Sequence, residues 1–184
     1  MKPLHLIIFV CLALFPVNAY ALEFVAAEHE MYSEEDAPNR TLADYISDFV
    51  DVPKGAIDWK IFGETKEIPA REPDGPNGFD YEYFKPEFTK DVKALDGKTI
   101  RIKGFIFPLD PSDDQSNFLF GPFPLNCPFQ YHVGPALVME AKAGKKPIPF
   151  SYDAVILEGR LELVEKDFEY STFYRLHDAK LIKK

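Results

Sequence analysis

The chain has 184 residues, of which 46% are apolar and 15% aromatic, and a formal net charge of −9. This length and composition suit one globular domain with a true core and exclude a disordered chain. The acidic balance repels phosphate backbones and anionic lipid, which argues against free nucleic acid as a partner.

Residues 1–21 read as a signal peptide. Lys2 gives a positive start, an apolar run follows from Leu4 to Phe15, and Ala19 and Ala21 form the A-x-A pattern that signal peptidase accepts. The run is short for a membrane span, and Cys11, behind Val10, does not fit a lipid-anchoring cysteine. No later stretch approaches the roughly eighteen apolar residues of a membrane helix, so no integral membrane segment is expected in the mature chain. The expected location is periplasmic or secreted, after cleavage near Ala21. Such compartments permit disulfides, yet beyond the leader the chain carries one cysteine, Cys127, and has no intrachain crosslink to draw on.

Residues 22–40 carry Glu23, Glu28, Glu30, Glu34, Glu35 and Asp36, with no basic residue before Arg40. Such a run reads as a solvated, flexible arm, and His29 is its one metal-ligating imidazole. Residues 41–184 are expected to form a single β-barrel domain with an N-terminal helix. Thr41 is placed to cap that helix and Asp44 to favour its positive end. Leu42, Tyr45, Ile46, Phe49 and Val50 make one apolar stripe, and Pro53 ends it.

From Asp51 to Asp91 the chain reads as irregular. Glu72-Pro73-Asp74-Gly75-Pro76-Asn77-Gly78 is a loop by composition, and Trp59, Phe62, Phe79, Tyr81, Tyr83, Phe84 and Phe88 are expected to pin it to the core. After Lys90 the texture changes to strands. The expected runs are Lys98–Pro108, Asn117–Phe120, Ala136–Ala141, Asp153–Glu165 and Ser171–Lys183. Gly104 and Gly159 fall in mid-strand, where glycine marks a bulge or bend. About five antiparallel strands, two of them long and bent, suggest a small closed or partly open OB-like barrel. A small sandwich or a lipocalin-like fragment is the fallback.

The order Ile57-Asp58-Trp59, Leu95-Asp96-Gly97-Lys98, Ile102-Lys103-Gly104-Phe105-Ile106-Phe107-Pro108, Phe118-Leu119-Phe120 and Cys127 resembles a bacterial family of exported proteins of unknown function. The resemblance spans Ala56 to Lys183. It implies an accessory role beside ABC transporters of the lipoprotein-release type, in a setting linked to zinc supply. The family's cysteine leads a C-x-H arrangement. Here Phe129 stands at the histidine position, and the nearest imidazole is His132.

Pro122, Pro124 and Pro128, with Gly121 and Gly134 at either end, describe a stiff loop around Cys127. Cys127, Pro128, Phe129, Tyr131 and His132 are the candidate binding loop, since loops on a rigid scaffold carry function. The Cys127 thiolate and the His132 imidazole are both ligands for a soft ion such as Zn²⁺ or Cu⁺, although two ligands are too few for a closed structural zinc site. His29, His177 or acidic groups would have to complete it. A second reading is a thiol-dependent enzyme with Cys127 activated by His132, but no cysteine-hydrolase signature and no C-x-x-C pair accompany it. A third is a small buried residue packed among Phe123, Phe129 and Tyr131. Asp110, Asp113 and Asp114 read as solvated turn residues, and His177 as a hydrogen-bonded surface histidine. The function these readings favour is a soluble periplasmic binding or interaction module, accessory to an envelope ABC transport system. A thiol enzyme or a purely structural envelope component is the alternative.

Overall fold

The computed structural model describes residues 41–73, 78–127 and 133–182. The expected signal peptide and acidic arm lie outside the described residues, as do Pro128–His132 of the expected binding loop and the last residue of the expected final strand. Arg40–Lys184 form one compact unit.

Five strands close into a barrel: β3 (Thr99–Pro108), β5 (Asn117–Gly121), β6 (Met139–Ala143), β8 (Val155–Leu163) and β9 (Tyr174–Ile182). Around the barrel the order is β3-β5-β6-β9-β8 and back to β3. The first barrel strand thus pairs with the second and the fourth, and the fifth closes on the third, an OB-like arrangement. One expectation is corrected. The barrel is mixed, because β6 and β9 run parallel while the other pairs are antiparallel. β9 pairs antiparallel with β8, and its other edge closes the barrel on β6 in the parallel sense.

The two mid-strand glycines sit where the barrel bends. β3 pairs with β8 over Thr99–Gly104 and with β5 over Phe105–Pro108, so the strand changes neighbours at Gly104. A Cβ there would lie 2.6 Å from the Gly121 carbonyl oxygen and 3.0 Å from the Phe120 ring. Gly159 lies at the register shift between β8 and β9, and a Cβ there would meet the His177 carbonyl oxygen at 2.7 Å. Both positions exclude side chains, and the chain curves there.

The half of β3 that has left β5 keeps backbone groups facing outward, and these are satisfied from upstream. The Ile57 N–H donates to the Arg101 carbonyl at 2.7 Å, and the Trp59 indole N–H donates to the Lys103 carbonyl at 2.7 Å. Trp59 opens the short helix α2 (Trp59–Gly63), which follows α1 (Ile46–Phe49) and precedes α3 (Lys90–Lys93). Asp58 caps α2 by accepting from the Lys60 N–H at 2.9 Å, and Thr89 caps α3 through the Val92 N–H at 3.2 Å.

The expected first helix is a 3-10 turn, Leu42–Tyr45, running into the single turn of α1. The Asp44 carboxylate accepts from the Thr41 N–H and hydroxyl at 2.7 and 2.8 Å. Ile46, Trp59, Phe62 and Val92 are all buried and continuous with the barrel core of Ile102, Ile106, Phe118, Phe120, Leu157 and Leu161. Three helical turns therefore plug and flank the barrel. Among the described residues no helix is long and apolar enough to cross a membrane.

Two further expectations are corrected. The strand expected over Ala136–Ala141 begins only at Met139, because Pro135–Leu137 form a 3-10 turn with the proline at its start. The stretch from Asp51 to Asp91 is not irregular. It contains α2, α3 and a hairpin of β1 (Lys66–Glu72) and β2 (Tyr81–Glu87), paired from Lys66↔Glu87 to Glu72↔Tyr81. Its strands have no buried face, so they show no apolar alternation to read. A second small sheet pairs β4 (Asp114–Gln115) with β7 (Ile148–Pro149).

Candidate binding groove

The hairpin stands beside the barrel and is tied to it at its base and at its flank. At the base, the buried Tyr174 of β9 donates its hydroxyl to the Phe62 carbonyl at 3.1 Å and contacts the Thr65 hydroxyl at 2.7 Å. Burial pushes the Tyr174 hydroxyl pKa up, the Thr65 hydrogen bond opposes this, and the Glu67 charge adds to the rise. The residue stays a neutral donor throughout the physiological range. Glu67 of β1 accepts from the Ala136 N–H at 3.1 Å, so the hairpin also orders the Pro135–Leu137 turn.

At the flank, Tyr81 and Tyr83 of β2 stack on each other at 5.8 Å and meet Phe168 edge-on, Tyr81 at 4.8 Å. The Tyr81 hydroxyl lies 3.2 Å from the Ser171 hydroxyl. Phe168 and Ser171 belong to the loop between β8 and β9. Asp167 folds that loop on itself, accepting from the Glu169 N–H at 3.0 Å and from the Thr172 N–H and hydroxyl at 3.2 and 3.0 Å. Burial works to raise the Asp167 pKa, but these hydrogen bonds outweigh it and hold the carboxyl below its ordinary value. Ser171 adopts φ of 55°, a left-handed conformation uncommon for serine.

Between hairpin, barrel and loop lies a groove of about 830 Å³. Pro69, Tyr83 and Phe84 form its hairpin wall, and Leu119 of β5 with Val138 forms its floor. Val133, Gly134 and Pro135 close one end, and Tyr170, Ser171 and Thr172 form the opposite wall. The surface is mostly apolar, with hydroxyls from Tyr83, Tyr170, Ser171 and Thr172 and the charged side chains of Arg71 and Glu82 at the hairpin. Its position is informative, because OB-like barrels bind ligands on the face of the second and third strands and with the loop joining the fourth to the fifth. Here those are β5, β6 and residues 164–173. The hairpin leaves Ile68, Phe79 and Phe84 exposed by 41, 77 and 44%. Phe84 presents its exposure to the groove.

Of the residues expected to bind, only Cys127 is among the described residues. Cys127 is a free cysteine, only 4% exposed, within the hydrophobic core cluster. Its N–H donates to the Pro124 carbonyl at 2.9 Å, which closes the turn that turns the thiol inward. Of its expected partners, Pro128, Phe129, Tyr131 and His132 lie outside the described residues. Among the described residues no three His, Cys, Asp or Glu side chains gather closely enough to hold a metal ion.

His177 contacts the Glu162 carboxylate beside Arg175, which also pairs with the buried Glu140. The His177 contact and the Arg175 charge hold the Glu162 carboxyl below its usual range, against the effect of burial. This network spans the outer faces of β6, β9 and β8. Asp110 accepts from the Ser112 N–H at 2.8 Å, as a solvated turn residue does.

Sequence reasoning missed the groove because its hairpin wall lies in the stretch read as irregular. The available signal is the cluster of aromatics on both sides of the Pro/Gly loop. Trp59 and Phe62 do pin; Phe79 and Phe84 do not.

The profile of a family described as "Protein of unknown function (DUF3299)" matches residues 83–183. Among solved structures, the chain is similar to the crystal structure of a DUF3299 family protein from Pseudomonas aeruginosa PAO1, at 24% identity and a TM-score of 0.39. The similarity covers 50% of this chain and 66% of that one. No curated protein matches the chain.

Proposed function

The chain belongs to the DUF3299 family, whose function is unknown, and from that premise we propose that it is an exported binding module whose recognition site is the groove between the β1–β2 hairpin and the barrel. The observation that carries this reading is the groove's place on the ligand face of an OB-like barrel, with an exposed phenylalanine, Phe84, on its wall. A large, mostly apolar cleft with a few polar and charged side chains in its lining is the usual form of a binding site. Ser171 supports the same reading, since strained backbone concentrates at ligand-contacting positions.

Export rests on the leader pattern of residues 1–21. An envelope ABC transporter as the partner rests on the family resemblance. Catalysis by Cys127 is not favoured, because a nucleophilic thiol needs solvent access and this one is packed in the core. Metal handling draws no support from the described residues, among which no three His, Cys, Asp or Glu side chains gather.

The test is site-specific photocrosslinking in the native envelope, with the reactive side chain at Phe84 or Leu119 and a control at Arg101 on the barrel's outer surface. The expected result is a crosslink from the groove positions to a transporter subunit identified by mass spectrometry, absent from the control. Recovery of the protein in the cytoplasmic fraction overturns export. Equal crosslinking from all three positions, or none from the groove, overturns the assignment of the site.

A further inference from the structure

Lys166 occupies a cage. Its ammonium pairs with the Glu72 carboxylate and lies 4.5 Å from the ring centre of Phe168 and 5.7 Å from that of Tyr83. Tyr81 backs both rings, stacked on Tyr83 and edge-on to Phe168. Aromatic faces with an adjacent carboxylate are the surroundings in which proteins hold ammonium groups, by attraction of the cation to the ring quadrupole and by direct charge. The Lys166 side chain remains 34% exposed, so the cage opens to solvent and its occupant is exchangeable. A partly exposed ion pair of this kind holds its place only weakly. The chain's net charge of −9 favours approach of a cationic group over an anionic one.

We propose that this cage is a binding site for an alkylammonium group, and that Lys166 is its internal occupant. While Lys166 fills the cage it fastens the 164–173 loop to the hairpin. A ligand cation that replaces it frees that loop, which forms one wall of the groove. Tyr83 belongs to both sites, the cage and the groove. The inference stands on the cage geometry and does not depend on what occupies the groove.

The test uses the full chain and follows the ring resonances of Tyr81, Tyr83 and Phe168 during titration with tetramethylammonium chloride, against sodium chloride at equal ionic strength. Wild type is expected to show a weak, saturable shift. Lys166→Gln removes the internal competitor and is expected to bind about three- to five-fold more tightly. Adding Tyr83→Ala, or separately Glu72→Gln, to that variant is expected to weaken or abolish the response. Nα-acetyl-lysine amide titrated in parallel separates a primary from a quaternary ammonium as the natural source; binding of either supports the site. Thermal melts of each variant establish that the barrel is folded. No saturable shift in Lys166→Gln, equal affinity in wild type and Lys166→Gln, or a response that survives Tyr83→Ala overturns the proposal. None of these outcomes bears on the groove crosslinks.

Discussion

Glu67 and Gly134 share one space: a Cβ built on Gly134 would overlap both carboxylate oxygens of Glu67. Glu67 comes from the hairpin and Gly134 from the segment entering β6, so this contact joins the groove's wall to its end. The same carboxylate caps the Pro135–Leu137 turn through the Ala136 N–H. The carboxylate is the far end of a flexible side chain, so an added methyl would push it off Ala136 without colliding with the backbone.

Gly134→Ala is therefore expected to cost about 1–2 kcal/mol, the scale of one charge-assisted hydrogen bond. Glu67→Ala should cost a similar amount. In the Glu67→Ala background, Gly134→Ala should then be nearly neutral. A double-mutant cycle in urea checks this, and additive losses would contradict it.

Gly104→Ala is a different case, because its Cβ would meet the Gly121 backbone oxygen at 2.6 Å. Backbone cannot swing away as a side chain does. The expected loss is about 3 kcal/mol or more, at the upper end for overpacking, measured by denaturant midpoint.

Tyr174→Phe removes the hydroxyl that ties β9 to the Phe62 carbonyl and to Thr65. Both partners are left buried, so a loss of about 1–3 kcal/mol is expected. Hydrogen exchange should rise most in α2 and at the start of β1. A uniform change across the barrel would contradict the assignment of Tyr174 as a local tie.

Asp167 has a depressed folded pKa. A carboxylate of this kind contributes stability that is fully present above its unfolded pKa of about 3.9 and is lost as pH falls through the lower folded value. The loop from Asp167 to Thr172 should loosen in acid below about pH 4, seen as a shift and faster exchange of the Thr172 amide. Asp167→Asn should flatten that acid transition while weakening the loop at neutral pH.

Cys127 is packed in the core, so iodoacetamide should modify it only upon unfolding. Cys127→Ala should cost about 1 kcal/mol through lost packing. Rapid alkylation of the native protein at neutral pH would restore the reactive-thiol reading.

Much of the barrel was legible in the residues alone. The alternation of Thr99–Pro108 and Val155–Leu163, each interrupted by one glycine, announced two long bent strands, because a one-sided core imposes a period of two and a bend excludes side chains. The hairpin was not legible. Its strands bury neither face against the core, so nothing in Lys66–Glu72 alternates, and Glu67, Glu72, Tyr81 and Tyr83 hold it in place by gripping distant segments. Nor could spacing show whether Cys127 faces in or out, since its turn is set by a hydrogen bond to Pro124 and by the packing around the thiol.

Local periodicity and glycine placement thus determined the strands and where they bend, since those depend on near neighbours along the chain. The parallel closure of β9 on β6, the groove and the Lys166 cage were decided only in three dimensions. Each brings together residues far apart in sequence, and the geometry of such meetings follows from how the whole barrel closes.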